Sequence, residues 1–263
     1  MMDNYAGFEK ANVAPVPLDY KQLLLFTTCS EEKDEIGRVS SVTFEREVEY
    51  NNVQEADGLY LFQVFLFEAS YSFIRAAEPY DTMFKKMAYV FDELMLWADG
   101  HGTLTTIHNL PFVQYRWENI REQLMLDFEG EFFEWHVAFM DDMMTDHDKV
   151  LRYLSTPSMY GLYFNGCWGS HKKGEGSSCN ISYSHELQNI TISEKIELEP
   201  SKSNRLVQLG VSANEKPDEI YGYKGSYTYL DGILDHANKE ISLNPNKTIK
   251  YSAQWVGLKS IIP

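Results

Sequence analysis

The sequence predicts an α+β fold: an antiparallel sheet with a central helical block, followed by a β-rich C-terminal region of about five strands. Three observations carry this. Residues 41–50 alternate cleanly with a period of two, helical periodicity dominates residues 82–155, and short strand-like runs bounded by turn residues fill the chain after residue 187. Strands, then helices, then strands argue for segregated elements and against a parallel α/β sheet. The predicted organisation is an α+β region over residues 1–168, a Gly/Ser-rich linker over 169–186 and a β-rich antiparallel region over 187–263.

Each element has its own signal. Residues 1–22 read as an arm, broken by Pro15 and Pro17. Residues 23–28 are a first strand, and the polar residues 30–37 a turn. In 41–50, Val42, Phe44, Arg46, Val48 and Tyr50 share one face, and Thr43, Glu45, Glu47 and Glu49 the other. One buried and one wet face is the habit of an antiparallel sheet, and Arg46 interrupts the apolar side. Residues 59–67 are apolar almost throughout, which predicts a central strand covered on both faces.

A helix starts at Asp81 or Thr82 and runs to about residue 92, with Met83, Met87 and Phe91 on one side. Asp99-Gly100 between 94–98 and 103–108 predicts a hairpin. Asn109 and Pro111 then open a helix to about residue 128, striped by Val113, Trp117, Ile120 and Leu124. Two more helices follow, over 131–144 and 146–154, the second with Thr145 as a cap. The C-terminal strands are 188–198, 205–212, 223–230, 240–243 and 248–256.

Charge narrows the function. Asp and Glu number 39 against 23 Lys and Arg, a net −16. Such a surface repels nucleic acid and anionic lipid and favours a basic protein as partner. The longest apolar run, 59–67, is far short of the ~20 residues of a membrane span. Residues 1–20 show neither a basic nor an apolar leader segment, and three cysteines suit a reducing compartment, so a cytoplasmic protein is expected.

Catalytic signatures are absent. The chain has no Walker loop and no G-x-S-x-G turn, and His185-Glu186 fails the zinc-protease pattern because Asn189 stands where the second histidine belongs. No catalytic residue is therefore assigned. The most specific cluster is Cys167, His171, Cys179 and His185, a chemically sound tetrahedral zinc set whose spacing lacks the usual tight Cys pair. Zinc is thus the one candidate cofactor. A second cluster joins His136 to Asp141, Asp142, Asp146, His147 and Asp148; its carboxylates also suit the start of the next helix.

Two surface features point to binding. Glu45, Glu47 and Glu49 form an acidic row, and Tyr221, Tyr223, Tyr227 and Tyr229 share the parity of one strand face. The leading expectation is a non-enzymatic protein-binding protein, an intracellular chaperone, adaptor or immunity-type partner with an acidic, aromatic-rich surface. The alternatives are a metal-dependent hydrolase built on the Cys/His or His/Asp cluster, and a small-molecule binder with a pocket between helices and sheet.

Overall fold

The computed structural model describes residues 10–18, 20–74, 81–183, 190–200 and 205–257. It corrects the predicted fold class. Of the described residues 52% are strand and 22% helix, so sheet dominates, and the helices form no central block. One antiparallel sheet of eleven strands carries the molecule, in the order β6-β5-β4-β3-β2-β13-β12-β11-β10-β9-β8. A small sheet pairs β1 (Lys10–Val13) with β7 (Gly169–Lys172).

The first half of the large sheet is β2 (Lys21–Lys33), β3 (Val39–Ala56), β4 (Leu59–Ile74), β5 (Glu93–Ala98) and β6 (Leu104–Ile107). The second half is β8 (Ser177–Tyr183), β9 (Ile190–Glu199), β10 (Leu206–Glu215), β11 (Gly222–Leu230), β12 (Ile233–Asn244) and β13 (Lys247–Trp255). β2 and β13 join the halves from Lys247 opposite Glu32 to Trp255 opposite Leu24. The segment read as a linker therefore contains β7 and β8, and the regions on either side of it share one sheet. The start of the predicted strand at 188–189 lies outside the described residues.

Period-two patterning decides which face is buried. Leu24 and Phe26, Val48 and Tyr50, and Leu94 and Leu96 face the interior while their neighbours are more exposed. β4 departs from its expectation: Phe62, Val64 and Leu66 are buried but Phe67 is 56% exposed, so this strand too has one covered face. Its aromatic outer residues mimicked a doubly covered strand because apolarity alone does not say which face is covered.

The sheet coils. Laid flat, its two edges would stand ten strand spacings, about 48 Å, apart. Instead Leu104 of β6 and Cys179, Asn180 and Ile181 of β8 line the same cavity, with Phe164, Asn165 and Gly166 between them. The molecule is an open barrel, and its two edges close on a strip of irregular chain.

That strip, residues 155–168, is the centre of the core. Tyr160, Leu162, Tyr163, Phe164, Cys167 and Trp168 are all buried. Tyr50 stacks on Tyr163 with centroids 4.0 Å apart, and the Tyr163 hydroxyl accepts from Val16 N at 3.3 Å. Buried irregular backbone needs partners. Trp168 N donates to His101 O at 2.9 Å, and Asn165 Nδ2 donates to the Tyr229 hydroxyl at 2.9 Å. Gly102 makes room: a Cβ there would sit 2.5 Å from the Trp168 ring, and its φ of +83° lies in the left-handed region.

Helices α1 (Asp81–Ala88), α2 (Leu110–Asp127), α3 (Glu131–Met144) and α4 (His147–Leu154) pack chiefly on the first half, through β4, β5 and β6. α2 buries Val113, Trp117 and Leu124, three of its four predicted stripe residues. Asn109 precedes it but accepts from Met95 N at 2.8 Å, tying the helix to β5 in place of capping it. α4 is capped by Asp146 and not by Thr145: Asp146 Oδ1 accepts from Asp148 N at 2.8 Å. Among the described residues no helix is long and apolar enough to cross a membrane.

Candidate functional site

The helices do not fill the concave face beneath them. Between α1, α3 and α4 on one side and β2, β3, β4 and β13 on the other lies a cavity of about 370 Å³. Phe44 and Tyr71 line its sheet wall, Phe84 and Met87 come from α1, and Phe139 and Met140 from α3. Tyr153 of α4 and Met159 of the buried strip complete it. Phe44 stacks on Tyr71 at 4.1 Å, and Tyr71 meets Phe84 at 5.2 Å, so the aromatic walls support one another. The volume falls within the range of small-molecule sites, roughly 300–1,000 Å³.

Arg46 stands in this wall and is 3% exposed. Its position on β3 points its side chain inward, because Val48 and Tyr50 of the same parity are core residues. Nη2 donates to Ser158 O at 2.5 Å and to Met159 O at 2.6 Å, and Nη1 lies 3.5 Å from the Met159 sulfur. The guanidinium sits 5.2 Å from the Phe44 and Tyr160 centroids and 5.5 Å from that of Phe26. Among the described residues it has no carboxylate partner. Carbonyl dipoles and aromatic faces therefore carry a buried cation, which otherwise costs several kcal/mol.

The other ionisable groups in and behind the cavity wall complete the electrostatics. His136 Nδ1 is 2.8 Å from Phe132 O, and burial holds its pKa below the ordinary histidine value, which favours neutral imidazole. Lys247 at the rim pairs with Glu32 at 3.4 Å. Burial pushes the Tyr160 hydroxyl up to about 12, against the lowering influence of Arg46, and the hydroxyl donates to Phe91 O at 3.2 Å. None of these groups forms a nucleophile–base pair.

A second buried polar group lies on the uncovered half. Lys239 Nζ and Glu194 Oε1 are 2.6 Å apart, and both side chains are 0% exposed. Tyr223 donates its hydroxyl proton to Glu194, and the Cys179 thiol lies 3.5 Å from Glu194 Oε2. Burial, then the Glu194 charge, push the Cys179 thiol up to about 12, and burial raises Cys167 well above its usual value. Both are protonated thiols at neutral pH, the unreactive state of cysteine.

The residues singled out in sequence fall into separate places. His171 Nε2 engages the Cys167 carbonyl oxygen at 2.6 Å, and His185 lies outside the described residues. Among the described residues no group of three or more His, Cys, Asp or Glu is placed to hold a metal ion. The His/Asp cluster is dispersed too. Asp141 accepts from Trp117 Nε1 at 2.8 Å and Arg121 Nε at 3.0 Å, Asp142 pairs with Lys149 at 2.6 Å, and His147 Nε2 accepts from Ile107 N at 3.3 Å.

Glu45, Glu47 and Glu49 point to the outer face of β3, with Glu49 paired to Lys21 at 2.7 Å. The tyrosine row shares a face, but it is the inner one. Tyr227 and Tyr229 are 0% and 1% exposed and belong to the core, Tyr223 reaches Glu194, and only Tyr221, before the strand, is exposed, at 71%. The acidic row and these core tyrosines thus lie on opposite faces of the sheet.

Sequence reasoning noted Arg46 only as a break in an apolar face. That break was the available signal: an arginine at an inward position requires an unusual partner. The cavity itself had no sequence signal, because Met87, Phe139 and Met140 read equally well as filled core.

No protein-family model matches the chain, and no curated protein matches it. Among solved structures, a lipovitellin chain from a structure of lipid–protein interactions in that protein superposes with a TM-score of 0.47 and 9% identity. The match covers 92% of this chain and 25% of lipovitellin.

Proposed function

We propose that the protein is a non-enzymatic binder of a small, largely apolar molecule, held in the cavity between α1, α3, α4 and the sheet. The observation that supports this reading is the cavity itself: 370 Å³ of space walled mainly by aromatic, methionine and aliphatic side chains. The apolar part of these walls offers little hydrogen bonding to water, so an apolar guest there gains dispersion contacts without displacing well-bound solvent. The three cysteines are free thiols, which suits work in a reducing compartment such as the cytoplasm.

The test is a titration with N-phenyl-1-naphthylamine, a neutral probe that fluoresces in apolar surroundings. Saturable, one-to-one enhancement at micromolar probe is expected. Ala88→Trp places an indole in the cavity, and should weaken binding at least tenfold while circular dichroism stays native. Absence of saturable binding by the wild-type protein defeats the reading.

A second reading, capture of a basic protein, draws on the net charge of −16 and the outward carboxylates of β3. It uses Glu45, Glu47, Glu49 and Tyr221, without the two buried tyrosines.

A further inference from the structure

Resting on the small-molecule reading, the geometry points to an anionic amphiphile of the long-chain carboxylate class as the ligand, its head group bound by Arg46 and its chain by the aromatic and methionine walls. The first support is charge distribution. Acids outnumber bases by 39 to 23 over the whole chain, yet no Asp or Glu lines this cavity among the described residues. Its ionisable lining is Arg46, His136, Lys247 and two tyrosines. Lys247 already has Glu32, and desolvation favours neutral His136. Among the described residues, Arg46 is the cation of this lining that lacks a countercharge.

The second support is the contrast with the other buried cation. Lys239 is neutralised at 2.6 Å by a carboxylate of this chain, whereas Arg46 makes do with two carbonyls, a thioether and ring faces. A guanidinium presents five donors in a planar fork that matches a carboxylate's two oxygens. In water-poor surroundings that ion pair gains more than the dipoles it replaces.

The third support is stoichiometry of charge. A carboxylate brings one negative charge and is neutralised by Arg46, the one cation of the cavity lining without a carboxylate partner among the described residues. A phosphate monoester brings about −1.5 to −2 and would leave a surplus buried. The head group need not expel Ser158 and Met159 entirely, since the carbonyls occupy one edge of the guanidinium through Nη2.

The experiment compares dodecanoate with dodecanol by isothermal titration calorimetry on wild-type protein, Arg46→Met and Arg46→Lys. Dodecanoate should bind wild type roughly ten- to a hundredfold more tightly than dodecanol, the ratio expected of a hydrogen bond to a charged group. The ratio should fall to about one in Arg46→Met and to an intermediate value in Arg46→Lys, which keeps the charge but loses the fork. Equal affinities for acid and alcohol in wild type would overturn the anionic ligand and leave the apolar one standing. Binding of neither overturns both. The wild-type comparison decides even if Arg46→Met fails to fold.

Discussion

The two halves of the concave sheet face handle a buried cation in opposite ways. On the half that carries no helix, Lys239 and Glu194 form a pair with 0% exposure on either side, and Tyr223 and Cys179 fill the remaining positions round the carboxylate. On the helix-covered half, Arg46 is 3% exposed beside open space and borrows backbone carbonyls. The first arrangement is closed: each charge has its counterpart in the same chain. The second has a cation in place and room beside it. The difference teaches that burial of charge alone does not mark a site; burial of charge without a countercharge, next to unfilled volume, does.

The sharpest way to break this comparison is to remove each cation in turn. Lys239→Met strands the Glu194 carboxylate in the core and should cost about 3–5 kcal/mol in urea unfolding. Adding Glu194→Leu should restore most of the loss, because replacing a buried pair by apolar groups is often neutral. Arg46→Met strands only two carbonyls and should cost less, about 1–3 kcal/mol. If Arg46→Met proves the more damaging of the two, Arg46 is chiefly a clamp on residues 158–159, and the contrast between closed and open sites fails.

Alkaline pH probes the closed half next. The Cys179 thiol is held up at about 12 from an ordinary value of 9.0, and Cys167 is raised as well. The folded protein therefore keeps a proton that the unfolded chain releases. Stability from Cys179 is complete below pH 9, declines as pH rises and is spent near pH 12. The slope is at most about 1.4 kcal/mol per pH unit for one thiol. Urea midpoints taken between pH 8.5 and 10.5 should fall, and fall less steeply in Cys179→Ala. Equal slopes in the two proteins would remove Cys179 as a cause.

Local patterning made much of the secondary structure legible. The alternation of Val42 to Tyr50, the Asp99-Gly100 hairpin, and the stripe of Val113, Trp117 and Leu124 all correspond to elements of the molecule. What could not be read is long-range. Cys29 lies opposite Lys250, and nothing in either segment names the other. Without that joint the strands read as two groups with a helical block between them, when they form one sheet. The polar residues Glu31 and Glu32 looked like a turn because they lack an apolar face, yet their partners Lys250 and Lys247 extend β2 to Lys33. Short β7 and β8 were hidden in Gly- and Ser-rich chain. The site was less legible still. Arg46 announced itself by parity, but its partners, Ser158 and Met159, are backbone carbonyls, and carbonyls have no residue type to recognise.

The smallest effect is expected on the outer face, where it separates the two readings of function. Glu45→Gln, Glu47→Gln and Glu49→Gln should each change stability by less than about 0.5–1 kcal/mol, since surface pairs such as Lys21–Glu49 contribute little. A cavity ligand lies on the opposite face of β3, so the triple variant should bind the naphthylamine probe with wild-type affinity. A protein partner drawn by negative charge would instead associate more slowly with the triple variant, and the loss would shrink as salt rises. The same three substitutions thus leave one function intact and impair the other, through charge alone and with the fold unaltered.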